Sequence, residues 1–285
     1  MNTFSLLSHD DLSLAGYHWP TKNTKSPYAL LILIHGFAEH SLRYEHLVEC
    51  FTKHNVAIVA MDLRGHGQSG GQHVFIPSIE AIFQDIDLLI KKAKTIYPLC
   101  RTILYGHSMG GSLVLAYTLD RFSTKAHLCP YQALIVASPW IRLARPFQPP
   151  RPVFSVIRTA CRLHPSMNVP LRFDPSKITR DQDIINSYGL DESVRRSGTL
   201  SLARHAGGMA AKLDRIHAVF YIPVLIQHGE ADSITCHRAS LRFSQRGQNI
   251  DYMGWPNCYH ELHSEPERED IFNFTLRWIG EKLFS

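Results

Sequence analysis

The sequence has no long hydrophobic run. Its longest, Ala29–Ile34, falls far short of the ~20 apolar residues that cross a bilayer. Its first eleven residues have no basic flank and carry His9, Asp10 and Asp11, so an unprocessed, soluble chain is expected. It has no CxxC pair. Cys50, Cys100, Cys129, Cys161, Cys236 and Cys258 are scattered, and unbridged thiols fit a cytoplasmic setting. Charged residues make up only 19% against 45% hydrophobic, a globular balance that excludes a disordered chain, a collagen and a coiled coil. There is no repeat and no low-complexity tract. There is no HExxH motif either: His260-Glu-Leu-His263 spaces its histidines by three, which argues against a zinc protease. With 285 residues the chain can bury roughly 75% of its extended surface without metal or disulfide staples.

Five short apolar runs are present. They are Leu30–Ile34, Val56–Ala60, Thr102–Tyr105, Leu134–Ala137 and Val224–Gln227, each followed by a polar turn, most with glycine. Runs of this length read as strands buried on both faces. Ile79–Ala93 has helical apolar spacing, and Leu113–Leu119 and Ile271–Phe284 also read as helices. Strands alternating with helices predict an α/β fold with a mostly parallel sheet, whose ligands sit beyond the carboxyl ends of the strands. The alternation stops after Trp140. From there to Ala218 prolines are frequent and no buried-strand run occurs, while Val153–Leu163 reads as an amphipathic helix with Arg151, Arg158 and Arg162 opposite its apolar face. Residues 140–218 are therefore expected to form a helical cap inserted into a core of 1–139 and 219–285. The net charge is +5, yet Trp140–Arg215 holds 13 Lys/Arg against 6 Asp/Glu, so this segment carries all the positive excess.

The strongest chemical signal is Gly106-His-Ser-Met-Gly110, between an expected strand and an expected helix. The glycines allow a very tight turn that lifts the Ser108 hydroxyl clear of the backbone. The same turn aims the Met109 N–H, at a helix start, toward a reacting carbonyl. A serine nucleophile needs a base and an orienting acid, here in the chain order Ser, acid, His. Asp232 follows the last buried run and is the candidate acid, with Glu230 and Asp214 as competitors. Of the histidines beyond it, His237, His260 and His263, His260 lies in the turn before the final helix and is the candidate base; His263 reads as a supporting or surface residue. The Phe37 N–H, in the turn after Leu30–Ile34, is the second candidate oxyanion donor.

Several motifs together resemble a known group. His35-Gly36 with Glu39-His40-Ser41 and Arg43-Tyr44, then Asp62-Leu-Arg-Gly-His-Gly67-Gln-Ser69, then Gly106-His-Ser-Met-Gly-Gly111 are similar to the monoacylglycerol lipase and lysophospholipase group of α/β-hydrolases. His228-Gly-Glu-Ala-Asp232 and Tyr259-His-Glu-Leu-His263-Ser-Glu-Pro266 resemble that group's acid and histidine motifs, and Asp174–Asp181 resembles its cap. The resemblance implies an α/β-hydrolase fold, Ser108, Asp232 and His260 as catalytic residues, Phe37 and Met109 as oxyanion donors, and a glycerol pocket near Glu39 and Arg43. It implies a small lipid ester as substrate, no cofactor and no nucleic-acid partner. One departure is Phe37, where a small residue is usual; its ring would narrow the acyl channel.

Bland readings stand beside these. Glu39 and Arg43 have the spacing of an i,i+4 ion pair on a helix surface. Asp62–Ser69 reads as a brace for neighbouring loops. Cys236 and Cys258 flank the acid and the base but read as small core residues. The basic cap is a candidate for peripheral contact with membrane lipid, weighed equally against solvated arginines. A short-acyl carboxylesterase or an aminopeptidase on the same fold would use the same triad, and a non-catalytic binding module would not need it.

Overall fold

The computed structural model describes residues 1–22, 26–145, 148, 159–170, 174–194 and 197–284. Eight strands form one sheet: β1 (Asn2–Leu7), β2 (Ser13–Trp19), β3 (Ala29–Ile34), β4 (Val56–Met61), β5 (Arg101–His107), β6 (Ala133–Ala137), β9 (Val219–Gly229) and β10 (Gln248–Trp255), in the order β1-β2-β4-β3-β5-β6-β9-β10. From β4 to β10 all neighbours are parallel; β1 pairs antiparallel with β2, and β2 with β4. All five runs expected to be strands are strands. β1, β2 and β10 lie toward the sheet margins, exposed or half-buried over much of their length, so they lack a continuous apolar run.

β3 and β4 are buried at every position. Their side chains alternate between two apolar layers, as the pleat requires. Leu30, Ile32 and Ile34 join a cluster with α2 (Ile79–Ile96) and α3 (Met109–Phe122). Leu31 and Leu33 join another with α1 (Glu45–Lys53) and the final helix (Arg268–Phe284). The register aligns Ile34 with Gly106, His107 with Ala137, and Ala137 with Gln227, so the loops after β3, β5, β6 and β9 leave one common edge. α3 starts at Met109, as the tight turn implies, four residues before the apolar spacing shows at Leu113, because the Gly110-Gly111 pair conceals it.

Between β6 and β9 lie α4 (Gln182–Leu190), α5 (Leu200–Leu213) and a small antiparallel pair, β7 (Asn168–Pro170) with β8 (Ser197–Thr199). Of the expected helix at Val153–Leu163, residues 159–163 are helical and the rest lies outside the described residues. α5 falls within the range expected for the cap, yet its Leu202, Ala206, Met209 and Leu213 join the same apolar cluster as α3. The stretch before α4 is clamped to the loop 261–268. The Glu261 N–H donates to the Ile178 carbonyl at 2.7 Å and the Thr179 hydroxyl to the Ser264 carbonyl at 2.7 Å. Arg180 Nε donates to Glu265 Oε2 at 2.7 Å, and Arg268 Nη1 to Asp181 Oδ2 at 2.8 Å. α6 (His237–Arg246) and α7 (Arg268–Phe284) complete the fold.

Candidate active site

Ser108 stands between the end of β5 and the start of α3 with φ 52° and ψ −116°. A non-glycine residue at positive φ stores about 1–3 kcal/mol of strain, retained where the surroundings enforce it. The glycines on either side are what permit it. A Cβ on Gly106 would lie 2.5 Å from the Gly110 carbonyl oxygen, and one on Gly110 would lie 2.3 Å from the carbonyl oxygens of Ile34 and His35. The turn can close only because neither has a side chain.

The structure brings together Ser108, singled out by its flanking glycines, and Asp232 and His260, singled out by their order and place along the chain. His260 Nε2 lies 2.9 Å from Ser108 Oγ, and His260 Nδ1 lies 2.7 Å from Asp232 Oδ2. An ionised Asp232 fixes the tautomer: Nδ1 donates to the carboxylate, and Nε2 accepts the serine proton. Gly229 lets the histidine loop approach β9, since a Cβ there would sit 2.1 Å from the Tyr259 carbonyl oxygen. Burial opposes charge on Asp232, but the charge of His260 and hydrogen bonds from His228 and His260 outweigh it and hold its carboxyl well below the usual range. Burial likewise pushes His260 down, and Asp232 more than reverses this, raising it above its ordinary value.

The competitors lie elsewhere. Asp214 is ion-paired with Arg142 at 2.5 Å, and Glu230 lies against Gly254. His237 packs 6.5 Å from the His228 ring. His263 is not a surface residue. It is buried, stacked on Tyr44 at 4.3 Å and 5.1 Å from the His107 ring, and burial holds it well below its ordinary value, hence neutral.

The loop carrying Phe37 leaves β3 beside the serine: a Cβ on Gly36 would be 3.2 Å from Ser108 Cβ. Ala38 has φ 59°, a second strained residue at this edge. Phe37 packs half-buried against the core. The loop is held from beneath by Glu39, whose Oε1 accepts the Gly36 N–H at 2.5 Å and the Tyr44 hydroxyl at 2.8 Å. Arg43 donates to both oxygens of Glu261, at 3.1 and 2.9 Å, lies 3.5 Å from Glu39 Oε2 and stacks under Tyr188 of α4 at 4.3 Å. The Glu39–Arg43 pair exists, but it is buried, with side chains 4% and 7% exposed, so the helix-surface reading is corrected. Burial, then the Glu261 charge, pushes Glu39 up, with Arg43 opposing; Arg43 itself overcomes burial at Glu261 and pulls that carboxyl down. His40 reaches Asp191, just past α4, at 2.8 Å.

Asp62–Ser69 braces the loops around it. Asp62 accepts from the Tyr17 hydroxyl and from the N–H groups of Ser41 and Gln68, at 2.8–2.9 Å. Buried Arg64 bridges Asp85 and Asp10. Burial pushes the Cys258 thiol up to about 12, so it stays protonated and unreactive. Two groups, Glu39–Glu261–His263 and Cys258–Glu265–Glu267, bring potential metal ligands within 4.8 Å of one another. Each already holds a guanidinium that reaches both of its carboxyls, Arg43 in the first and Arg180 in the second. Sequence reasoning gave no role of their own to Tyr44, His107, His228, Thr235, Ser240 and Glu261. Tyr44, His107, His228 and Glu261 stand inside the motifs quoted above, and the i,i+4 spacing of His228 and Asp232 was a further signal.

Comparison with known proteins fits this geometry. A family model described as Serine aminopeptidase, S33 matches residues 25–267. The chain belongs to this family of α/β-hydrolases. An uncharacterized abhydrolase domain-containing protein of Dictyostelium discoideum is 33% identical over 98% of the chain, which spans 29% of that protein's length. A monoacylglycerol lipase of Mycolicibacterium smegmatis is 28% identical, covering 90% of each chain. The structure of a soluble variant of the Saccharomyces cerevisiae monoglyceride lipase with a substrate analog superposes with a TM-score of 0.85 over 100% of this chain and 98% of that one; at 21% identity it shows a shared α/β-hydrolase fold.

Proposed function

We propose that this carboxylic ester hydrolase cleaves monoacylglycerol to fatty acid and glycerol, or lysophospholipid in the same way, through an acyl-enzyme on Ser108. The observation that carries the reading is the continuous hydrogen-bond chain Asp232–His260–Ser108, at 2.7 and 2.9 Å. Ser108 Oγ attacks the ester carbonyl carbon while its proton passes to His260 Nε2. Asp232 stabilises the imidazolium, and the N–H groups of Phe37 and Met109 receive the oxyanion, each such donor being worth about 10²–10³ in rate. The tetrahedral intermediate collapses as His260 returns the proton to the leaving glycerol oxygen. Water, deprotonated by His260, then releases the fatty acid and restores Ser108. No step needs a metal or organic cofactor.

Glu39 and Arg43 enter this reading as supports rather than as open contacts for glycerol. Glu39 already spends Oε1 on Gly36 and Tyr44, and Arg43 joins Glu39, Glu261 and Tyr188. The monoacylglycerol preference rests on the similarity to the M. smegmatis enzyme. Exposed Leu163, Met167, Val169 and Leu190 in the region of excess positive charge support contact of a cytoplasmic enzyme with a lipid surface. A short-acyl esterase is the second reading, favoured by the bulk of Phe37, the residue after Gly36, whose backbone passes close to Ser108.

The test is turnover of 1- and 2-monoacylglycerols of several chain lengths, lysophosphatidylcholine and p-nitrophenyl acetate, with Ser108→Ala as control. Fast release from monoacylglycerol that falls roughly 10⁶-fold in the variant is expected. Turnover of the acetate alone would sink the lipid assignment and keep the triad.

A further inference from the structure

We propose that His228 is a positioning residue for the hydrolytic reaction, a second imidazole that holds the Asp232 carboxylate at the oxygen His260 uses. The proposal rests on the reading of Ser108, His260 and Asp232 as the catalytic triad. His228 is the penultimate residue of β9, and its side chain is fully buried. Its Nε2 lies 3.0 Å from Asp232 Oδ2, the same oxygen that receives His260 Nδ1 at 2.7 Å. Its Nδ1 lies 2.8 Å from the hydroxyl of Ser240, a buried residue of α6.

Chemistry fixes the direction of the bond to the acid. A carboxylate only accepts, so His228 Nε2 carries a proton and donates it. Nδ1 makes the second bond, with the Ser240 hydroxyl. The ring is therefore held at both nitrogens, by α6 on one side and by the acid on the other. A planar group pinned at both ends has one orientation, and that orientation fixes Oδ2.

The acid needs this because its two oxygens are held differently. Oδ1 receives two backbone donors, the N–H groups of Ile234 at 2.7 Å and Thr235 at 3.0 Å. Oδ2, which faces His260, receives side chains only: His260, His228 and the Thr235 hydroxyl at 2.7 Å. That hydroxyl also lies 3.3 Å from the Ser138 carbonyl, so its proton has another acceptor to turn to. His228 is the donor on Oδ2, other than His260 itself, whose ring cannot turn away.

Two substitutions separate this role from simple packing. His228→Gln puts an amide nitrogen where the imidazole Nε2 stands. His228→Asn puts one near the position of Nδ1, which keeps a partner for Ser240 but falls short of Asp232. Rates on p-nitrophenyl acetate per active site, titrated with a fluorophosphonate, should fall about 10- to 100-fold in kcat for His228→Asn with KM unchanged. His228→Gln should recover most of the loss. Equal kcat for the two variants overturns the proposal, as does a loss confined to thermal stability or to the fraction of titratable sites. Proton NMR of the wild-type protein labelled with ¹⁵N-histidine gives an answer even if both variants fold poorly. Two imidazole N–H resonances should lie downfield, one Nδ1–H and one Nε2–H, and both should move in Asp232→Asn; a single one overturns the proposal. Asp232→Asn also separates the two readings. Full activity in that variant removes the triad and His228 together, whereas a large loss there with equal His228 variants removes His228 alone.

Discussion

The two sides of His260 are built on opposite principles. On the Nδ1 side Asp232 receives donors from His260, His228, the Thr235 hydroxyl and two backbone N–H groups, and both its oxygens are occupied. On the other side, around Glu39, Arg43, His107, Glu261 and His263, a buried cluster of similar size is only partly matched. Glu39 Oε2, Arg43 Nε, His107 Nδ1 and both His263 nitrogens have no hydrogen-bond partner among the described residues. The first side keeps a carboxylate ionised by surrounding it with donors. The second keeps charge low: burial holds two imidazoles neutral and pushes one of two carboxyls up. In a buried site an unmatched polar atom costs more than a matched one returns, so on this side the charge that remains sits on the matched Arg43–Glu261 pair.

The sharpest way to break the contrast is Asp232→Asn. It removes the charge and reverses the preferred tautomer of His260, and kcat should fall about 10⁴-fold with KM little changed, measured on any turned-over ester. Next is Arg43→Ala, which strands Glu39 and Glu261 without a cation. Loss of one partner from a buried pair costs about 3–5 kcal/mol, readable by denaturant unfolding. Arg43→Lys should recover part of this, because a single ammonium cannot match the guanidinium fork.

A pH series sharpens the comparison further. Glu39 is raised from 4.5 to about 7, so the folded state holds a proton that the unfolded chain releases. Its contribution is present below the unfolded value and is lost as pH rises from about 4.5 to 7. Glu39→Gln cannot ionise, and its stability should decline less over that window in thermal melts. His260, raised above 6.5, sets the acid limb of kcat/KM: activity should fall as pH drops through that raised value. An acid limb below 6.5 would contradict the assignment of the base. The smallest effect expected is from Tyr188→Leu, which keeps an apolar side chain in the buried position and removes a cation–π contact worth about 1 kcal/mol.

Much of this architecture was legible in the residues. The five central strands stand out because a strand covered on both faces must be apolar throughout. β1, β2 and β10 do not, since margin strands with an exposed face admit polar residues. α4 and α5 were hidden in a proline-rich segment read only as a cap, and nothing in that segment announced that α5 would pack with α3. Within the site, Ser108 was legible from its flanking glycines and Asp232 and His260 from their order along the chain. The burial of Glu39, Arg43 and His263 was not, because polar side chains at those positions read equally well as surface.

By itself the sequence determined what depends on neighbours along the chain. The Gly106–Gly110 turn, the apolar β3 and β4 runs and the helix starting after Ser108 all follow from steric and burial rules that act over a few residues. Tertiary structure decided which distant groups meet. Ser108 and His260 are 152 residues apart, and His260 and Asp232 are 28 apart. Whether a polar residue becomes a matched donor, as His228 does, or an enclosed neutral ring, as His263 does, depends on the partners and dielectric that packing brings to it.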